Sequence, residues 1–161
     1  MGALVVVRFI AVLATGLLAG IFVCDRMGAS FARPQLSPSS FVKFQQVQHM
    51  HFVKMMPVLM GIAILSSLSW LVLIRPRIGT LGFLLLALGT LAYISVLVRT
   101  RTVNVPINNQ LVTWSASSPP LDVMKIWARW EQVHTIRTFL AVIGFACEVL
   151  AFGVSTNGPA A

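Results

Sequence analysis

The sequence predicts an all-α protein: a four-transmembrane-helix, up-down-up-down bundle with helices two and four extended on the cytoplasmic side. Three observations carry this. The 161 residues are 57% hydrophobic and only 10% charged, with a mean hydropathy of +0.87. A soluble domain of this size could not cover so much apolar surface, whereas lipid accepts it. The apolar residues fall into runs at about 4–23, 56–74, 78–98 and 138–154, each close to the ~20 residues that cross roughly 30 Å of hydrocarbon as a helix. These runs lack period-two alternation, so they read as helices rather than as strands of a closed barrel. One integral membrane domain, 1–161, accounts for the chain.

Helix one opens apolar, with Arg8 as its only early cation, and no small-x-small cleavage site follows it. It reads as a retained span rather than a cleaved signal. Gly16-x-x-x-Gly20 gives it a face that a neighbour can approach closely. Ser37-Pro38-Ser39-Ser40 is a helix start, and nothing breaks the pattern before Pro57, which membrane helices tolerate. Helix two therefore runs from about Ser40 to Ile74, its first half beyond the bilayer. Arg75-Pro76-Arg77 is a tight turn into helix three. The segment Thr100–Pro120 reads as a loop, and helix four runs from about Leu121 to Val154 with Asp122 near its positive end.

The net charge of +8 does not indicate a nucleic-acid partner, because the cations flank apolar spans instead of forming a stripe. Nine of the twelve lie in or beside the two polar stretches and three (Arg8, Arg75, Arg77) on the other side. By the positive-inside rule the polar, histidine-bearing loops are cytoplasmic and both the N and C termini outside. Cys24 and Cys147 should sit at different depths and read as free thiols.

Helical geometry selects among the histidines. At roughly 100° per residue, His49 lies near the inward face of helix two with Gln45, while His51 points to solvent. On helix four, His134 shares a face with Trp127, Trp130 and Arg137, and Glu131 lies within contact range one turn before it. Each has a bland counterpart: an interfacial histidine, membrane-boundary tryptophan anchors, and Glu131 as a partner for Arg129, Arg137 or Lys125. A mononuclear metal site of His49, His134 and Glu131 is a minority reading. A di-iron centre is not, since the chain has only four acidic residues. Glu148, inside an apolar run, needs a partner; its depth predicts an ion pair with Arg8 joining helices one and four. A proton conduit through Glu148 is disfavoured, because Val142–Ala146 supplies no polar residue on helix four.

Asn104-Val-Pro-Ile-Asn108, followed by Arg129-Trp130-Glu-Gln-Val-His134-Thr-Ile-Arg137-Thr138, resembles the paired signatures of the anthrone oxygenase-like family of small four-helix membrane proteins. The resemblance spans nearly the whole chain, including the polar segment from Gln45 to His51. It implies a monooxygenase that oxidises an anthrone methylene to a quinone carbonyl, with O₂ as co-substrate and no organic cofactor. An anthrone methylene is acidic because its deprotonation yields an aromatic phenolate, an anion electron-rich enough to meet O₂ directly. The protein then needs a base, His134 or His49, and a cation such as Arg137 to hold the phenolate. Asn104, Asn108 and Gln45 are candidates for hydrogen-bonding ring oxygens, and Trp127 or Trp130 for stacking on a flat substrate; asparagines flanking a proline also shape turns.

The expected partners are the lipid bilayer and a small apolar aromatic substrate, of phenolic, anthrone or quinol type, with a homo-oligomer or membrane-complex partner also open. The rival class is a non-catalytic accessory subunit docking through its polar face. Enzyme and subunit differ in one observable: whether these groups surround an enclosed hollow or lie on an exposed surface.

Overall fold

The computed structural model describes residues 2–156, which are helical apart from short turns and one longer connection. Residue 1 and residues 157–161, and with them the expected location of both chain ends, lie outside the described residues. Four segments are long and apolar enough to cross a membrane: Ala3–Gln35, Pro38–Leu73, Leu81–Leu111 and Val123–Val154.

Each element starts and stops for a local reason. Helix α1 (Ala3–Cys24) does not end where its apolar run does. It continues through a π-helical turn, Asp25–Ala29, a single α turn α2 (Ser30–Ala32) and a 3₁₀ turn, Arg33–Gln35. Helix α3 (Pro38–Leu73) is capped by Ser37, whose Oγ accepts from the Ser40 amide at 3.2 Å. Pro38 fits the first turn because that position has no intrahelical acceptor to satisfy. The turn into α4 (Leu81–Arg99) uses Gly79 at φ 89°, a conformation that costs other residues more. After α4 a second π-helical turn, Thr100–Asn104, leads into α5 (Val105–Leu111). Helix α6 (Val123–Thr156) is the last of the described elements.

Two expectations change here. Extensions beyond the apolar runs are not confined to helices two and four: the first and third spans also continue as helix. Much of Thr100–Pro120 is therefore helical rather than loop, and Asn104 and Asn108 flank a proline inside a helix, not a turn. The π-helical turn shifts the hydrogen-bond ladder just before Pro106, which lacks an N–H to donate.

Three buried layers hold the helices together. Ala11, Trp70, Ile74, Leu86 and Ala151 form one. Leu18, Phe22, Ala63, Tyr93, Val96 and Ala141 lie at the centre of the next. Phe41, Val42, Ile107, Leu111, Val123, Trp127 and Trp130 make the third, around the polar extensions. Glycine sets the closest approach of α4 and α6: a Cβ on Gly89 would come within 2.8 Å of the Gly144 carbonyl oxygen. In Gly16-x-x-x-Gly20 only Gly16 is used this way, against the Phe145 ring of α6; Gly20 faces open space.

The Arg8–Glu148 ion pair does not form. Glu148 is fully buried and accepts hydrogen bonds from Thr15 Oγ1 (3.0 Å) and Ser67 Oγ (2.6 Å). Arg8 instead lies over the Trp70 ring, 5.5 Å from its centroid. Thr15 is seven residues further along α1 than Arg8, roughly 10 Å in helical rise, so the two charges occupy different depths. Hydroxyls on α1 and α3 supply what a cation was expected to supply.

Candidate active site

The polar ends of α1, α3, α4 and α6 surround a cavity of about 640 Å³, in the size range of small-molecule sites. Each wall comes from a helix that outlasts its apolar run. His134 and Arg137 project inward because they sit three residues apart on α6. Trp127 and Trp130 precede them on the same face. Trp127 stacks on Trp130 (centroids 4.4 Å, 15°), and Trp130 stacks on the His134 ring (4.9 Å, 29°). Phe22 closes the edge of His134 at 5.7 Å. Both tryptophans are buried, so neither is a boundary anchor.

One hydrogen bond fixes the state of the central histidine. Arg137 Nη2 lies 3.0 Å from His134 Nδ1. A guanidinium has no acceptor to offer, so Nδ1 accepts and Nε2 carries the proton. That Nε2 is 3.1 Å from Asp25 Oδ2, close enough for attraction, yet it makes no aligned hydrogen bond. The contact is electrostatic first, and against the opposing effect of burial it and Arg33 hold the Asp25 carboxyl well below the usual carboxylate range. Arg137 also donates to Thr100 Oγ1 at 2.9 Å, which ties it to the π-helical turn after α4.

Asp25 and Arg33 are the site residues that sequence reasoning missed. Arg33 is 2% exposed and donates to both Asp25 oxygens, to Glu131 Oε1 at 2.8 Å, and to Gln45 Oε1 at 3.1 Å. It also lies over Trp127 and Trp130. Gln48 joins by donating to Asp25 Oδ1 at 3.3 Å. Charge complementarity explains the arrangement: two carboxylates flank one guanidinium whose donors are nearly all used, as a buried ion pair requires. Arg33 precedes Pro34 in what reads as a polar linker, and nothing in sequence places it beneath two tryptophans.

The predicted residues divide as follows. His134, Arg137, His49, Trp127, Trp130, Asn108 and Gln45 all line the cavity. Gln45 reaches it with its carbonyl committed to Arg33. His49 is partly exposed, on the α3 wall, while His51 is exposed on the opposite side. Asn104 is buried and does not line the cavity; its Nδ2 donates to the Trp130 carbonyl at 3.2 Å, bracing α6. Glu131 pairs with Arg33 rather than with Arg129, Arg137 or Lys125, and accepts from Ser30 and Trp127. The His49–His134–Glu131 trio is not assembled: among the described residues no three His, Cys, Asp or Glu side chains group to hold a metal.

Buried side-chain N–H groups without an aligned hydrogen bond cluster here: Trp130 Nε1, His134 Nε2 (apart from its contact with Asp25) and Arg137 Nε, and all three residues line the cavity. They stand at i, i+4 and i+7 on α6, one helical stripe. Unpaired buried donors are costly, and their concentration on one stripe of α6 sets this end of the bundle apart from the apolar layers.

Comparison with curated proteins and with solved structures finds no match. A family model described as anthrone oxygenase matches residues 44–147, well over half of the 161 residues and inclusive of every cavity-lining residue except those on α1 and its extension. The chain belongs to the anthrone oxygenase family.

Proposed function

We propose that this protein oxidises a flat, apolar phenolic substrate of anthrone or quinol type with O₂, and that the substrate enters from the bilayer. The unpartnered N–H row on Trp130, His134 and Arg137 is the observation that carries this reading. A phenolate oxygen drawn to one of these donors gains a hydrogen bond in a low-dielectric setting, where such stabilisation is strongest. The stacked Trp127–Trp130–His134 column walls the cavity with aromatic groups against which fused rings can pack.

The proton acceptor in this reading is His49. His134 has its Nδ1 lone pair engaged by Arg137, so it serves as donor and as support for the guanidinium rather than as base. His49 lines the facing wall with no hydrogen bond among the described residues, and an imidazole has the intrinsic basicity for the step. With anthrone, the methylene loses a proton to His49 and the resulting anion reacts with O₂. One oxygen atom is kept as the new carbonyl and the other leaves as water, so the reaction needs no external reductant.

The docking-subunit alternative requires these groups on an open surface. Arg33, Gln45, His134 and Arg137 are each no more than 5% exposed, which favours the enclosed site. We also assign the polar ends to the cytoplasm within a single membrane domain whose four spans alternate in direction. Nine cations against three support the orientation. The layers support the alternation: core residues ascend through them along the first and third spans and descend along the second and fourth.

The test is O₂ uptake by purified protein with anthrone, corrected for autoxidation. Wild type should consume O₂ with one quinone formed per O₂, and His49→Gln should lose most of that rate while remaining folded. Uptake no faster than the uncatalysed reaction removes the oxygenase reading.

A further inference from the structure

The cavity is far longer than a fused-ring head requires. Its α3 wall is one continuous stripe from Gln45 to Leu65, about 30 Å of helical rise. Charged and amide groups line only the first part. Beyond Phe52 the wall is apolar, formed by Met56, Met60, Gly61 and Ile64, with Ile21 and Leu97 facing them from the first and third spans. Val53, Leu65 and Leu97 border this arm and are 50%, 65% and 37% exposed, so it opens sideways at the depth of the apolar runs. Gly61 sits in the arm with no atom within 4 Å of where its Cβ would be. The space beside it is empty of protein.

We infer that the substrate is an amphiphile: a flat oxygenated head in the polar chamber beside Trp130 and His134, with a single apolar chain running down α3 past Gly61. Gly61 is then a specificity-determining residue, since any larger side chain there occupies the chain's path. This deepens the oxygenase reading, but the arm itself is argued from shape and polarity alone.

The test is equilibrium binding of two compounds that O₂ does not oxidise further, anthraquinone and a decyl-substituted anthraquinone. It uses the full chain in lipid nanodiscs, read by tryptophan quenching against empty nanodiscs to remove partitioning. Wild type should bind the decyl compound at least about tenfold more tightly, because each methylene buried in the arm adds affinity. Gly61→Leu, and independently Leu97→Phe from the facing wall, should erase that difference while leaving anthraquinone binding unchanged; unchanged head binding also shows that each variant is folded. Equal wild-type affinities would mean that the arm holds bilayer lipid only, and would overturn the proposal. So would variants that weaken both compounds alike, or binding of neither compound. Selective chain binding without anthrone turnover would instead remove the oxygenase reading and leave the chain site standing.

Discussion

Trp130 does two separable things. Its ring fills the column between Trp127 and His134, and its indole N–H is a buried donor without a partner. Trp130→Phe keeps most of the ring and deletes the donor. By the scale of a lost oxyanion donor, kcat for anthrone should fall roughly 100- to 1,000-fold, with little change in thermal midpoint. An unchanged kcat would take the indole out of the chemistry. His134 allows no such separation, because it is buried, stacked and bonded to Arg137, so its truncation should cost stability and turnover together. Arg8 and Glu148 make a sharper residue-scale case. With Arg8 over Trp70 and Glu148 between two hydroxyls, Arg8→Leu and Glu148→Gln should combine additively, to within about 0.5 kcal/mol, in a double-mutant cycle. A coupling larger than about 1 kcal/mol would restore the ion pair between them.

At the scale of elements, the helical extensions build the site, and Arg33 fastens the extension of α1 to α6. Arg33→Leu strands Asp25 and Glu131 without their shared cation. Removing one partner of a buried pair costs about 3–5 kcal/mol, and since Glu131 is partly exposed the lower end is expected, seen as a fall in the unfolding midpoint in detergent. A shift within error would show that the network is incidental. These same elements mark where sequence stops being informative. Apolar runs and caps disclosed four spans, a helix start within Ser37–Ser40, though with the cap placed after Pro38 and not at Ser37, and the inward face of α6, since helical spacing fixes which side chains align. The continuation of α1 through a π-helical turn carried no such signal. Asp25-Arg26-Met27-Gly28 reads as a span ending, and a shifted hydrogen-bond ladder leaves no periodic trace. Asn104 and Asn108 looked like turn residues because Pro106 stands between them, although a proline just after a π-helical turn disturbs little. The Gly89–Gly144 contact was equally silent, since a close approach depends on which two helices meet. Gly89→Ala should destabilise the bundle by about 1–3 kcal/mol through overpacking against a carbonyl that cannot move aside.

For the whole molecule, the governing feature is segregation: apolar layers along the spans and one polar chamber where all four prolonged segments meet. Pro57 and Gly61 continue that chamber into the apolar depth of α3, so a single cavity joins the charged end to the lipid level. Topology belongs to this scale. In a background with Cys24 and Cys147 replaced by serine, a cysteine at Ser39 should resist a membrane-impermeant maleimide in intact cells, while one at Arg77 should react. The reverse pattern would invert the orientation without disturbing the chamber. The chamber itself is tested most directly by an experimental structure with anthraquinone bound. The ring system should lie in the cavity against the Trp127–Trp130–His134 column, with a carbonyl oxygen turned toward α6 and His49 facing the opposite ring carbon. A ligand seated outside the cavity, or inside it with its oxygens turned away from α6, would contradict the account.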